Sequence, residues 1–216
     1  MKNPQAGLAQ LVLSLGFTML AAGAEAQSAS HLGLGAGVNF YRPTNTDAHH
    51  SEGVGFVYRW HSFHSGWGPT FGFDWHRTGF TQHLGPIDAP LGTMQFRTVL
   101  VGIGHTQHLG RMNASASLSG GYAFNRLALD GRASPTFELA GVSLVGARVR
   151  NSAAAKPEVS VWVDIAKRLG VGVSAAYFVA RPDVIITTST GSYTRRLRAD
   201  ALELHAGVTI GVWKDR

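Results

Sequence analysis

The last stretch of the chain, Ala199 to Trp213, reads ADALELHAGVTIGVW. Leu202, Leu204, Ala206, Val208, Ile210 and Val212 fall on every second position, with Glu203, His205, Gly207, Thr209 and Gly211 between them. Successive side chains of a strand point to opposite faces, so this period of two describes a strand with one unbroken apolar face. Its other face carries an acid, an imidazole, a hydroxyl and glycines, which would make a poor globular core. One side is suited to an apolar medium and the other to a polar interior.

Working back from this stretch, the same alternation recurs. His31 to Tyr41 sets Leu32, Leu34, Ala36, Val38 and Phe40 against glycines and Asn39. Val54, Phe56, Tyr58 and Trp60 oppose Gly55, Arg59 and His61, and Phe71, Phe73 and Trp75 oppose Gly72, Asp74 and His76. Met94, Phe96, Thr98 and Leu100 form the apolar side of the next strand, with Thr93, Gln95 and Arg97 opposite and a bulge expected near Val99 to Val101. Ala114, Ala116, Leu118, Tyr122 and Phe124 face away from Asn113 and a run of serines. Val159, Val161, Val163 and Ile165 oppose Glu158, Ser160, Trp162 and Asp164, and Val171, Val173, Ala175, Tyr177 and Val179 oppose Gly172 and Ser174. Extended sequence continues to Thr190, so the last two strands are expected to rise as a protruding hairpin. That makes about eight strands. Short connections (His64 to Pro69, His105 to Arg111, Lys167 to Gly170) alternate with long ones (Pro43 to Glu52, Thr81 to Pro90, Arg126 to Lys156, Arg181 to Arg198). The stretch from Arg126 to Lys156 reads as a long loop with some structure of its own.

Lys2, the apolar run from Leu8 to Leu20 and the small residues ending at Ala26 have the form of a secretory signal peptide, giving a leader over 1–26 and a mature domain over 27–216. Zero cysteines exclude disulfides, thiol catalysis and thiolate metal sites. Charged residues are 15% and hydrophobic ones 44%, so the composition is neither that of a disordered chain nor that of a helical membrane bundle, and 27 glycines favour sheet over helix. Past the leader no apolar run approaches the roughly 20 residues of a spanning helix. Entry into a membrane would therefore require a closed barrel, because an open sheet leaves backbone groups unpaired in hydrocarbon. The formal charge of +6 is unchanged by cleavage, since Lys2 and Glu25 leave together. For an exported chain the expected anionic partner is lipid headgroups, not nucleic acid.

From about His31 to Trp213 the chain resembles the eight-stranded outer-membrane protein β-barrel family, which includes the outer-membrane protein A barrel domain and proteins X and W. The leader, the alternating strands, the Gly-rich first strand and the ending HAGVTIGVW carry the resemblance. It implies an all-β, antiparallel, up-and-down transmembrane barrel in the cell outer membrane, with termini in the periplasm. It also implies an assembly signal of polar-x-Gly-x-x-hydrophobic-x-aromatic type. His205, Gly207, Ile210 and Val212 fall on its positions, Trp213 follows, and the barrel assembly machinery is the implied partner.

On this reading the lumen holds Arg59, His61, Asp74, His76, Gln95, Arg97, Glu158, Asp164, Glu203 and His205. An eight-stranded barrel is just wide enough for side chains, so mixed charges are expected to pair as a plug. Aromatic girdles are expected from Trp60, Phe63, Trp67, Phe71 and Trp213 at one end and Phe40, Tyr41, Phe80, Tyr122 and Phe124 at the other. Arg148, Arg150, Arg195, Arg196 and Arg198, in or beside the largest loops, are candidates for lipopolysaccharide phosphates. His61-Ser62 and His64-Ser65 sit at a turn with neighbours on opposite faces, and Asp47, His49 and His50 in a polar loop read as solvated. No catalytic residue, cofactor or metal is therefore expected. The function expected is a non-enzymatic structural, surface-interaction or adhesion role with no surface partner identified; the alternative is a narrow pore or transporter for small solutes.

Overall fold

A computed structural model of the chain describes residues 32–44, 51–60, 65–84, 87–139, 141–166 and 169–213. The stretch expected as a leader, Asp47, His49, His50, His61, Ser62, Phe63 and His64 lie outside the described residues. The elements in chain order are β1 (Leu32–Pro43), β2 (Ser51–Trp60), β3 (Gly66–Leu84), β4 (Ile87–Leu109), β5 (Met112–Leu129), α1 (Ala133–Leu139) and β6 (Leu144–Val149). They continue with β7 (Ser152–Ala166), β8 (Leu169–Ala180), β9 (Asp183–Thr188), β10 (Gly191–Arg196) and β11 (Ala201–Trp213).

Eight of these close into an antiparallel barrel in the order β1-β11-β8-β7-β5-β4-β3-β2. The C-terminal strand seals it: β11 pairs with β1 from Leu32↔Trp213 to Pro43↔Ala201 and with β8 from Ala201↔Phe178 to Ile210↔Leu169. Gly37 faces Gly207 across the closing ladder, where a Cβ on Gly37 would overlap Ala206 O and lie 2.6 Å from His205 Cε1. Glycine at both positions lets the two backbones meet beside the buried imidazole. No helix among the described residues is long and apolar enough to cross a membrane. The strands supply the apolar surface instead. Leu34, Val38, Phe40, Phe56, Phe71, Val101, Ile103, Leu118, Val173, Leu204, Val208 and Ile210 point outward and are exposed.

The alternation is observed on β1, β2, β3, β5, β7, β8 and β11. On β4 the structure inverts it. Met94, Phe96, Thr98 and Leu100 are buried in the lumen, while Arg97 is exposed on the outside with Val101 and Ile103. There is no bulge at Val99 to Val101; the irregularity in the β3–β4 ladder lies between Phe80 and Thr81, opposite Pro90 and Gly92. The expected long loop from Thr81 to Pro90 is also replaced, because β3 and β4 stay paired out to Leu84↔Ile87. Strand β7 begins at Ser152, earlier than expected, so Lys156 belongs to the barrel.

The end of the barrel away from the termini carries a second sheet. Its order is β10-β9-β6, so β6, from the connection after β5, pairs with the β9–β10 hairpin inserted between β8 and β11. The protrusion is thus not an unbroken extension of the last two strands. Helix α1 starts in the turn where Asp130 Oδ1 accepts from Arg132 N at 2.8 Å; the side-chain hydrogen bond from Arg132 also holds the Asp130 carboxyl below its ordinary pKa. Phe137 of α1, Val184 and Ile186 of β9, and Leu197 join Phe80, Leu91, Met94, Phe96 and Phe178 in one buried cluster, which caps the barrel mouth.

A sheet closed by its own last strand should resist detergent. Unheated protein is expected to migrate ahead of boiled protein on a denaturing gel. Gly37→Val, which forces a branched side chain into the β1–β11 contact, should remove the faster form. A Gly37→Val protein that retains the faster band would show that the closing ladder tolerates a Cβ.

Candidate functional site

The lumen is stratified along the barrel axis. Towards the terminal end it is lined by small hydroxyls and amides. Thr70 Oγ1 and Ser119 Oγ are 3.1 Å apart, Ser115 Oγ and Ser160 Oγ 2.7 Å, and Asn113 Nδ2 donates to Asp164 Oδ2 at 3.2 Å. His108 Nδ1 is hydrogen-bonded with Asn113 Oδ1.

Charge is concentrated in the middle. Lys156 Nζ lies 2.8 Å from Asp74 Oδ2, 3.3 Å from Glu203 Oε1 and 3.6 Å from Glu158 Oε2. All four side chains are less than a tenth exposed. Lys156 and Glu158 share a face of β7 because they are two residues apart, and the barrel brings Asp74 from β3 and Glu203 from β11 to meet them. Asn39 extends the cluster: its Nδ2 donates to Asp74 Oδ1 at 3.1 Å and to Tyr41 Oη at 2.9 Å, while its Oδ1 is hydrogen-bonded with His205 Nδ1. Gly55 leaves the room this needs, since a Cβ there would lie 2.7 Å from Asn39 Nδ2 and 2.8 Å from Asp74 Oδ1. A buried charge is tolerated only with partners, and one ammonium bridging carboxylates from three strands supplies them.

Above the charges sits a layer of rings. His76 stacks on Tyr41 with centroids 3.8 Å apart and on Phe96 at 4.8 Å, and Phe178 meets His76 edge-on at 5.3 Å. Phe178 also lies edge-on to Phe96 at 6.1 Å and to Tyr41 at 6.4 Å, so side chains from β1, β3, β4 and β8 converge across the lumen. Beyond them lies the apolar cluster under the distal sheet.

Of the residues expected in the lumen, Asp74, Glu158, Glu203 and His205 are brought together. His76 joins through its stack on Tyr41, and Asp164 sits apart near the terminal end. Arg97 is on the outside, and Gln95 shares its face. Arg59 occupies the register row of Gly33 and Thr70. Tyr41 and Phe80, expected in an outer girdle, are buried in the lumen, whereas Phe40, Tyr122 and Phe124 are outward and exposed. Within the ending, His205 points inward, Gly207 faces Gly37, Ile210 points outward, and Trp213 pairs with Leu32. Of the distal arginines, Arg148, Arg150, Arg196 and Arg198 are exposed. Arg195 Nη1 donates to Gln82 Oε1 at 2.7 Å, and Arg196 Nε pairs with Asp183 Oδ1 at 3.0 Å.

Sequence reasoning missed Lys156, the centre of the charged layer. The signal was present: Lys156 keeps the phase of Glu158, Ser160 and Trp162, but Pro157 reads as a breaker and the alanines before it carry no polarity. Pro157 has no N–H to give, and the β7–β8 pairing passes from Ala155↔Val179 directly to Glu158↔Ala176.

Solved structures with this architecture exist. The chain is similar to the crystal structure of the outer membrane protein OprG from Pseudomonas aeruginosa, with a TM-score of 0.72 and 10% sequence identity, covering 87% of this chain and 98% of that one. It is also similar to the solid-state NMR structure of outer membrane protein AlkL in DMPC lipid bilayers, with a TM-score of 0.55 and 12% identity, covering 90% of this chain and 95% of that one. No protein-family model matches the chain, and no curated protein matches it in sequence. At such identities the likeness is one of fold: the chain has the architecture of the eight-stranded outer-membrane β-barrels.

Proposed function

We propose that this protein is a non-enzymatic outer-membrane barrel whose lumen is plugged and whose role is to hold a structured surface outside the cell for adhesion or partner contact. The layer of Tyr41, His76, Phe96 and Phe178 seated on the Lys156 cluster supports this reading, because buried side chains from four strands meet one another there across the lumen. The β6–β9–β10 sheet is the platform. Arg148, Arg150, Arg196 and Arg198 on and beside it are suited to phosphates of the lipopolysaccharide core, and the ending from His205 to Trp213 to recognition by the barrel assembly machinery.

A second reading rests on the apolar distal lumen. Phe80, Leu91, Met94, Phe96, Leu100 and Phe178 would be a costly lining for a purely polar plug, and they suit a narrow path for small apolar solutes. Planar-bilayer recording tests the first reading, and the expected result is no steady ion current above the lipid baseline. A stable conductance that changes in Glu203→Gln would overturn it. Faster uptake of a small apolar dye by cells expressing the protein, raised further by Phe96→Ala and lowered by Phe96→Trp, would favour the second.

The charged layer makes a separate prediction about stability. Lys156→Met leaves carboxylates from three strands without their shared cation, and breaking a buried pair in this way costs about 3–5 kcal/mol. The temperature at which the fast-migrating gel form is lost should fall clearly. Adding Asp74→Asn and Glu203→Gln to Lys156→Met should restore part of it. An unchanged transition in Lys156→Met would mean that the ammonium is not what holds the carboxylates.

A further inference from the structure

The register of β3, β4 and β5 brings three arginines onto the outside of the barrel. Outward-facing rows run Phe73↔Val99↔Tyr122, then Trp75↔Arg97↔Phe124, then Arg77↔Gln95↔Arg126. Arg77, Arg97 and Arg126 are all exposed. Arg77 and Arg126 flank β4 at two strand spacings, about 10 Å, with Arg97 between them one row nearer the termini. The Arg77 guanidinium lies over Trp75, 5.1 Å from the ring centroid. Among the described residues no carboxylate forms an ion pair with any of the three. Glu52, next along β2 from the Gly53↔His76 pair, is the adjacent acid in register and is not paired with Arg77.

The position of this triad along the strands is set by the apolar band. On β3 the outward residues from Trp67 to Trp75 span nine positions, and His105 to Arg97 on β4 and Ala116 to Phe124 on β5 span nine as well. A tilted strand crosses the hydrocarbon in roughly 9–11 residues. Counted from the Trp67–His105–Ala116 row, a crossing of this length ends at the Trp75–Arg97–Phe124 row and sets the arginines where headgroups begin. Indole and phenyl rings at that level are the usual interfacial anchors. Guanidinium groups with no carboxylate partner among the described residues, at headgroup depth on the outer side, complement phosphate through paired N–H donors.

We propose that Arg77, Arg97 and Arg126 form a binding site for the phosphorylated headgroup of an outer-leaflet glycolipid of the lipid A class, whose acyl chains lie on Phe73, Val99 and Tyr122. The site rests on the outer-membrane reading, is distinct from the distal arginines of the capping sheet, and gives Arg97 a role that its outward orientation permits.

The test uses the full mature protein in phosphatidylcholine nanodiscs containing bisphosphorylated hexa-acyl lipid A, with lipid retention after detergent extraction read by native mass spectrometry. The expected result is specific retention of one lipid A, reduced about tenfold in the Arg77→Gln, Arg97→Gln, Arg126→Gln triple variant. Retention should be unchanged in Arg148→Gln, Arg150→Gln, and reduced for lipid A stripped of both phosphates. The gel-mobility shift reports that each variant is folded. Equal retention by the triple variant, or of the dephosphorylated lipid, would overturn the site. Displacement by millimolar inorganic phosphate alone would overturn the lipid assignment in favour of free phosphate. A protein that fails to enter the nanodisc at all would overturn the membrane reading itself, whereas one that inserts and retains no lipid A overturns only this proposal.

Discussion

The ladder between β1 and β11 is the constraint on which the rest of the molecule depends. In hydrocarbon every backbone N–H and C=O must find a partner within the protein, and a sheet satisfies all of them only by returning to its own first strand. Here that return is made by residues separated by nearly the whole chain, and it brings Gly37 and Gly207 into close approach. Once closed, the wall fixes what can meet inside. Asp74, Lys156 and Glu203 come from strands that are not all neighbours, and only a narrow closed cylinder places their head groups within ion-pair distance. The outside is fixed by the same act, because each inward residue leaves its neighbours facing outward.

The lumen's stratification shows how a small barrel fills itself without one uniform chemistry. Hydroxyl and amide pairs near the termini need only local partners. The central charges need each other, since burying any of them alone would be costly. The rings above exclude solvent from that cluster, and Tyr41 joins the two layers: its ring stacks on His76 while its hydroxyl accepts from Asn39. Such a buried polar cluster adds little net stability over an apolar filling of the same shape, but it rewards one arrangement of strands over shifted alternatives.

How much could be read from sequence follows from the same layering. The faces of β7, β8 and β11 were legible because most inward residues there are polar or small and most outward ones are aliphatic, with Trp162 and Phe178 as the large inward exceptions. The rule that the lumen is polar fails where the lumen is capped, so on β4 the apolar Met94, Phe96 and Leu100 turn inward while Arg97 turns out. Tyr41 and Phe80 escaped for the same reason. The eight-stranded closure and the positions of Asp74, Glu158, Glu203 and His205 were visible in the alternation. The ion-pair centre Lys156 and the second sheet were not, because the first follows from tertiary convergence beside a proline and the second pairs two connections that share no local pattern.

That second sheet ties together segments that would otherwise change independently. β6 comes from one surface connection and β9 and β10 from another, yet Ala147↔Ile186 and Arg148↔Ile185 belong to one ladder, and Phe137 packs in the same cluster as Val184. A substitution, insertion or deletion in either connection is therefore felt in the other. In this chain the two largest connections between barrel strands can therefore diverge only in step, leaving exposed positions such as Leu139 and Val145 as the sites freest to vary alone.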